Sequence, residues 1–202
     1  MIRFARQNNA AANITYCMGD AQTFGDYPEW QERFDKAVSF FVLHWCPDHA
    51  KALRSILACL KPGGEVLLIV ANKATFFTDA NQFIRSHVKW GDYVKDVTDF
   101  SNVYHFWERS IPDTEMLLKE CGWTNIQCEY QEAPSLTEMQ QKLFMKTLVA
   151  IIQYIPEAEH KAFLQDLWLW ALSRFEDKSI TSRVLYPGGF TVVHACKGPK
   201  DT

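Results

Sequence analysis

The chain has 202 residues, a net charge of -3, 48% hydrophobic and 22% charged residues, the profile of a globular protein with a core of its own and room for one domain, taken as 1–202. Its lysines and arginines form no long run, which argues against nucleic acid as a main partner. No stretch is long and apolar enough to span a bilayer, the first residues lack the apolar centre of a signal peptide, and the six cysteines form no Cys-x-x-Cys pair; zinc and obligatory disulfides are disfavoured, and the cytosol is the expected compartment.

Residues 1–8 read as the end of a helix, and 13–20 as a short strand closed by Gly19-Asp20. Residues 25–33 form a polar, aromatic loop with Tyr27, Pro28 and Trp30. Residues 36–43 are almost all apolar and predict a strand covered on both faces. Asp48 is placed to cap a helix, behind which Ala52, Leu53, Ile56, Leu57 and Leu60 recur at helical spacing. Pro62 stops that helix, and Gly63 and Gly64 accept the positive φ of a tight reversal into a strand at 65–71. Strand, helix and strand in succession predict a right-handed parallel crossover.

Residues 75–93 are mixed and partly helical. Pro112 and Asp113 open a helix that Gly122 ends, and 123–130 reads as a strand. Met139, Leu143, Phe144, Leu148, Ile151, Ile152 and Ile155 keep helical spacing up to Pro156. Phe163, Leu164, Leu167, Trp168, Ala171, Leu172 and Phe175 make a second amphipathic helix, and 190–196 is the last strand, entered through Pro187-Gly188-Gly189.

Asp35, Leu43-His44-Trp45 and Leu60-Lys61-Pro62-Gly63-Gly64 carry a resemblance, supported by residues 1–6, Gly19-Asp20-Ala21 and Cys46-Pro47-Asp48. On these the chain resembles the class I S-adenosylmethionine-dependent methyltransferases, and within them the insect juvenile hormone acid O-methyltransferases. The resemblance implies an α/β fold with a Rossmann-like class I methyltransferase sheet and helices on both faces. It also implies an incomplete sheet, because the family's first two strands and glycine-rich loop would precede residues 1–6. The last strand is expected antiparallel, between the strands at 65–71 and 123–130.

The implied function is methyl transfer from S-adenosyl-L-methionine to a small lipophilic carboxylic acid, such as a juvenile hormone acid or farnesoic acid. Asp20 and Ala21 inherit a role at the adenine, Leu43 lies at the cofactor, and His44 and Trp45 face the acceptor. Beside this, Asp20 reads equally as a turn residue, His44 as a capped loop histidine and Trp45 as core. His44 and His49 lie five apart, which is not a metal-ligand spacing on one helix face, and no metal is expected. Phe163, Leu167, Trp168 and Trp170 either roof an acceptor site or pack a core, and Tyr27, Trp30 and the Phe76-Phe77 pair are candidates to cover the cleft. The alternative function is a non-catalytic fragment acting as an interaction module, with the strand at 36–43 bare at one edge and open to self-association. A nicotinamide-dependent oxidoreductase shares the strand-helix-strand logic but leaves Lys61-Pro62-Gly63-Gly64 unexplained.

Overall fold

The computed structural model describes residues 2–72, 75–97, 105–132, 137–148, 150–175 and 188–199. Its centre is a four-stranded sheet of β1 (Phe34–Phe40), β2 (Leu60–Ala71), β3 (Trp123–Glu132) and β4 (Gly189–Lys197), in the order β1-β2-β4-β3. β1 and β2 run parallel, and β4 enters antiparallel to both β2 and β3. The expected place and direction of the last strand are therefore met, and β1 is an edge strand as expected.

Local chemistry explains the crossover between the parallel strands. The Asp48 carboxylate accepts a hydrogen bond from the Lys51 amide at 2.9 Å and caps α2 (His49–Cys59). Every third or fourth residue of α2 then turns inward: Ala52, Leu53 and Ile56 are buried against Val66, Leu68 and Val70 of β2 and against Val193 and Ala195 of β4. Alternation along β2 and β4 puts those residues on one face of the sheet. Leu53 and Leu68 are fully buried, each worth about 2 kcal/mol against exposure. Ser110 caps α5 (Ile111–Glu120), whose Leu118 joins the same core with Trp107 and Trp123, and Gly122 ends the turn at φ +95°.

A second core gathers α3 (Thr75–Ser86), α4 (Gly91–Val94), α6 (Glu138–Leu148) and α7 (His160–Phe175). Phe76, Ile84, Trp90, Met145, Phe163, Leu167 and Trp168 are among its buried members. α1 (Ile2–Asn8) buries no residue.

Four expectations change. Residues 13–18 form no strand: among the described residues no strand lies beside them to complete a ladder. Instead the Tyr16 carbonyl accepts the Arg6 guanidinium at 2.6 Å and the Tyr16 hydroxyl donates to the Asn9 carbonyl. The strand at 36–43 stops at Phe40 and is not covered on both faces, because at the sheet edge Val38 stays 66% and Phe40 50% exposed. β2 begins already at Leu60, with Lys61–Gly64 forming an irregularity opposite Asp35 between the pairs Phe34/Leu60 and Lys36/Glu65. Gly64 is required there, since a Cβ would stand 2.9 Å from the Lys61 carbonyl oxygen. The single helix read up to Ile155 is α6 followed by a 3-10 segment, Ala150–Tyr154, with Met139 and Leu143 exposed. Pro187 and the side chains of Phe77, Phe144 and Leu148 lie outside the described residues.

Candidate functional site

β1 ends in a strained corner. Phe41 has φ +54°, a region costly for a bulky side chain. It is held there by its amide, which donates to the Ile69 carbonyl at 2.8 Å, and by edge-to-face packing of its ring on Phe190 at 5.9 Å. The corner delivers a 3-10 turn, Leu43–Trp45, at the C-terminal end of the strand. That is the side on which open α/β sheets receive ligands.

Beside β1 runs a cleft of about 500 Å3, within the range of small-molecule sites. One wall is β1, with Ala37, Val38 and Ser39, followed by Val42 and Leu43 beyond its end. The opposite wall is the extended segment at Cys17, Met18 and Gly19, and Ile56 and Cys59 of α2 also line the hollow. Ala21, Phe24, Tyr27 and Trp30 close it. Gly25 fixes this aromatic wall: its amide donates to the Ser55 hydroxyl at 2.8 Å, in contact too close for any larger residue.

The five expected site residues divide between wall, turn and surface. Ala21 and the fully buried Leu43 line the cleft. Asp20 is exposed and does not line it; its carboxylate accepts the Gln22 amide at 2.8 Å, so its visible role is the turn. His44 and Trp45 sit one step beyond Leu43, outside the lining of this cleft. The His44 ring lies 5.0 Å from that of Trp45 and stacks on Phe106 at 6.2 Å, and Trp45 is 46% exposed rather than core. Burial, and then the neighbouring His49, hold His44 below the ordinary histidine range, so its ring is neutral at pH 7. Tyr27 and Trp30, singled out as a cleft cover, do line the cleft. Phe163, Leu167 and Trp168 are packed into the second core, and Trp170 stacks on Phe83 at 5.0 Å.

Sequence reasoning missed the segment that covers the turn. The His105 amide donates to the His44 carbonyl at 2.7 Å, and the Trp107 amide to the Ala71 carbonyl at 3.0 Å. Residues 105–109 are thereby strapped across the ends of β1 and β2. Their aromatic content was the one available signal, without spacing to interpret it.

A family described as "Methyltransferase domain" matches residues 1–68. The chain is 25% identical over 130 residues to the juvenile hormone acid O-methyltransferase of Bombyx mori, covering 64% of this chain and 46% of that protein. It is 27% identical over 142 residues to the enzyme of the same name in Drosophila melanogaster, covering 68% and 47%. The chain thus spans about half the length of the curated relatives it matches. Phosphoethanolamine N-methyltransferase 2 of Haemonchus contortus, solved with S-adenosyl-L-methionine, aligns with 98% of this chain and 40% of its own, at 18% identity and a TM-score of 0.51, a likeness of fold.

Proposed function

We propose that this chain, whose fold is that of the class I methyltransferases, acts as an S-adenosylmethionine-dependent O-methyltransferase of a small lipophilic carboxylic acid of the juvenile hormone acid or farnesoic acid kind. The observation that carries the reading is the largely apolar cleft beside β1, with Ala21 and Leu43 in its wall and His44 next in the chain, outside the lining. Similarity to two juvenile hormone acid enzymes supports the acceptor class.

Ala21, Phe24, Tyr27 and Leu43 give the cleft an apolar and aromatic lining suited to an adenine ring. The charged side chain in the lining is Lys36, and no carboxylate lines it, so these residues fit the adenine end of the cofactor rather than its ribose. When bound, the cofactor supplies an electrophilic methyl group whose transfer to a carboxylate cancels a positive and a negative charge. The acceptor is already ionised at neutral pH and asks no base of the protein. His44, neutral, has an N–H with which to orient the carboxylate, while Leu43 and the aromatic wall exclude water. Calorimetry with S-adenosylhomocysteine and transfer of labelled methyl to farnesoic acid test the reading. We expect micromolar binding, methyl ester formation, and at least tenfold lower turnover in His44→Ala. Absence of both binding and ester from a folded chain refutes it.

A second reading has its own observation: the cleft runs along an unpaired strand edge. Because the Phe41 amide faces β2, alternation points the amides of Lys36, Val38 and Phe40 outward. In this reading the chain is a non-catalytic module that pairs with a second copy through β1, antiparallel about Val38. Both readings use one groove, so cofactor and self-association compete. Sedimentation decides: a dimer that Val38→Lys dissociates and that the cofactor leaves intact favours the module.

A further inference from the structure

We propose that His49 is a proton-operated clasp, which in its neutral form locks residues 105–109 over the Leu43–Trp45 turn and on protonation releases them. The device follows from which atoms its ring touches. His49 is the first residue of α2 and is 7% exposed. Its Nε2 lies 2.9 Å from the His105 carbonyl, which only accepts. Its Nδ1 lies 3.0 Å from an Arg109 guanidinium nitrogen, which only donates. The two partners dictate the tautomer: the proton sits on Nε2 and Nδ1 offers a lone pair. A second proton has one place to go, and there it turns an acceptor into a cationic N–H pointed at a guanidinium.

The clasp holds both ends of the strap. Arg109 lies over the Trp107 ring at 5.0 Å, and the His49 ring packs on the same indole at 4.8 Å. Trp107 in turn donates from its indole nitrogen to the Thr114 hydroxyl at 2.8 Å, while its carbonyl accepts the Asn72 side chain. At the other end His105 is bonded to the His44 carbonyl, and Phe106 stacks on the His44 ring. Losing the His49–Arg109 bond therefore loosens the segment that covers His44, whose remaining ties are the backbone bonds to His44 and Ala71 and the buried Trp107.

The influences on His49 are opposed: burial and Arg109 disfavour a positive ring, whereas the His105 and Leu43 carbonyls favour it, and the first pair prevails. The charged and titratable groups that act on the ring are His105 and Arg109 from residues 105–109 and His44 from the turn, while Asp48, the preceding residue, has its carboxylate engaged with the Lys51 amide. Among the described residues, the ring's hydrogen bonds go to the His105 carbonyl and the Arg109 guanidinium. Burial and Arg109 hold the imidazole below its ordinary range. A group so shifted stays neutral above pH 6.5 and takes its proton at the cost of its contacts as pH falls below that.

The clasp is a property of the fold; only its consequence, acid-triggered exposure of His44, rests on the methyltransferase reading. Amide exchange in the full chain between pH 7.5 and 5.5 tests it without any substrate. We expect His49 nitrogen shifts of an Nε2–H tautomer at pH 7.5. Protection of the His105 and Trp107 amides should fall by up to about tenfold per pH unit, and more steeply than that of Val193 in β4, which follows the global stability alone. His49→Gln keeps one donor and one acceptor without titrating, so protection should persist and its pH dependence vanish. Should that variant not fold, Arg109→Met removes the opposing cation, and His49 should titrate at higher pH. An Nδ1–H tautomer, unchanged protection at His105 and Trp107, or the same pH dependence in His49→Gln overturns the proposal.

Discussion

Replacing Gly25 by alanine puts a methyl group where the structure has no room. Built on the existing backbone, that carbon stands 2.3 Å from the Ser55 carbonyl oxygen and 2.8 Å from the Ser55 Cα. Both obstacles are backbone of α2, so the turn Phe24–Asp26 must retreat by roughly 1 Å to reach ordinary van der Waals distance. Overpacking of this kind costs about 1–3 kcal/mol. The retreat also breaks the buried bond from the Gly25 amide to the Ser55 hydroxyl, worth about 1 kcal/mol. Together they predict a loss of about 3 kcal/mol, which for a chain of this size lowers Tm by about 6–12 °C. Ser55→Ala removes the acceptor without the clash and should cost less, about 1–2 kcal/mol. Urea and thermal melts of both variants supply the numbers. Because Phe24 and Tyr27 are carried by the same segment, any ligand of the cleft should weaken in Gly25→Ala more than in Ser55→Ala. A Gly25→Ala chain within 0.5 kcal/mol of the parent would show that α2 and the aromatic wall are not in the contact described.

Trp107→Phe removes the indole donor and leaves the fully buried Thr114 hydroxyl without it; a loss of about 2 kcal/mol is expected in urea melts, and Thr114→Val in that background should recover part of it. Stability should also fall with acid. His44 and His49 both have lowered pKa values through burial, so the unfolded chain takes up their protons first; their contribution is complete above pH 6.5 and declines below it, by at most about 1.4 kcal/mol per pH unit for each histidine. A urea midpoint at pH 5.5 equal to or above that at pH 7.5 contradicts this. Among thiols, Cys17 is exposed, whereas burial raises Cys46, Cys59, Cys121 and Cys128, the last to about 11. A thiol reagent at pH 8 should therefore modify Cys17 first, and a cleft ligand should slow it, since Cys17 lines the cleft.

The strand-helix-strand unit was legible because its punctuation is local. Asp48 caps whatever helix follows it, and Pro62 and Gly63 keep that helix from continuing, although they form the irregular start of β2, with a positive φ at Gly63 alone, rather than a tight reversal. The place of β4 between β2 and β3 is a long-range fact that came through resemblance alone. Residues 13–18 have the composition of a strand, but a strand is completed by its neighbour, and composition says nothing of whether one is there. The covering segment at 105–109 was illegible for a related reason. Its meaning lies in pairs such as His49 with Arg109 and Asn72 with Trp107, and neither partner carries a pattern that points to the other.

The two sides of the candidate site are held very differently, and this bears on what chemistry it can support. The Leu43–Trp45 turn is tied to β2 through Phe41 and Ile69, to residues 105–109 through the His44 carbonyl, and to the core through the fully buried Leu43. The strain at Phe41, of order 1–3 kcal/mol, persists only because those ties over-determine the corner. The facing wall is loose by comparison: Met18 is 92% exposed, and Arg6, bonded to the Tyr16 carbonyl, is itself on the surface. A reaction that needs alignment and dryness rather than an acid or base gains from one rigid wall, because geometry set there need not be found again at each turnover. The yielding wall is then where a ligand must supply order of its own, so binding in this cleft should tighten Cys17–Gly19 far more than Leu43–Trp45.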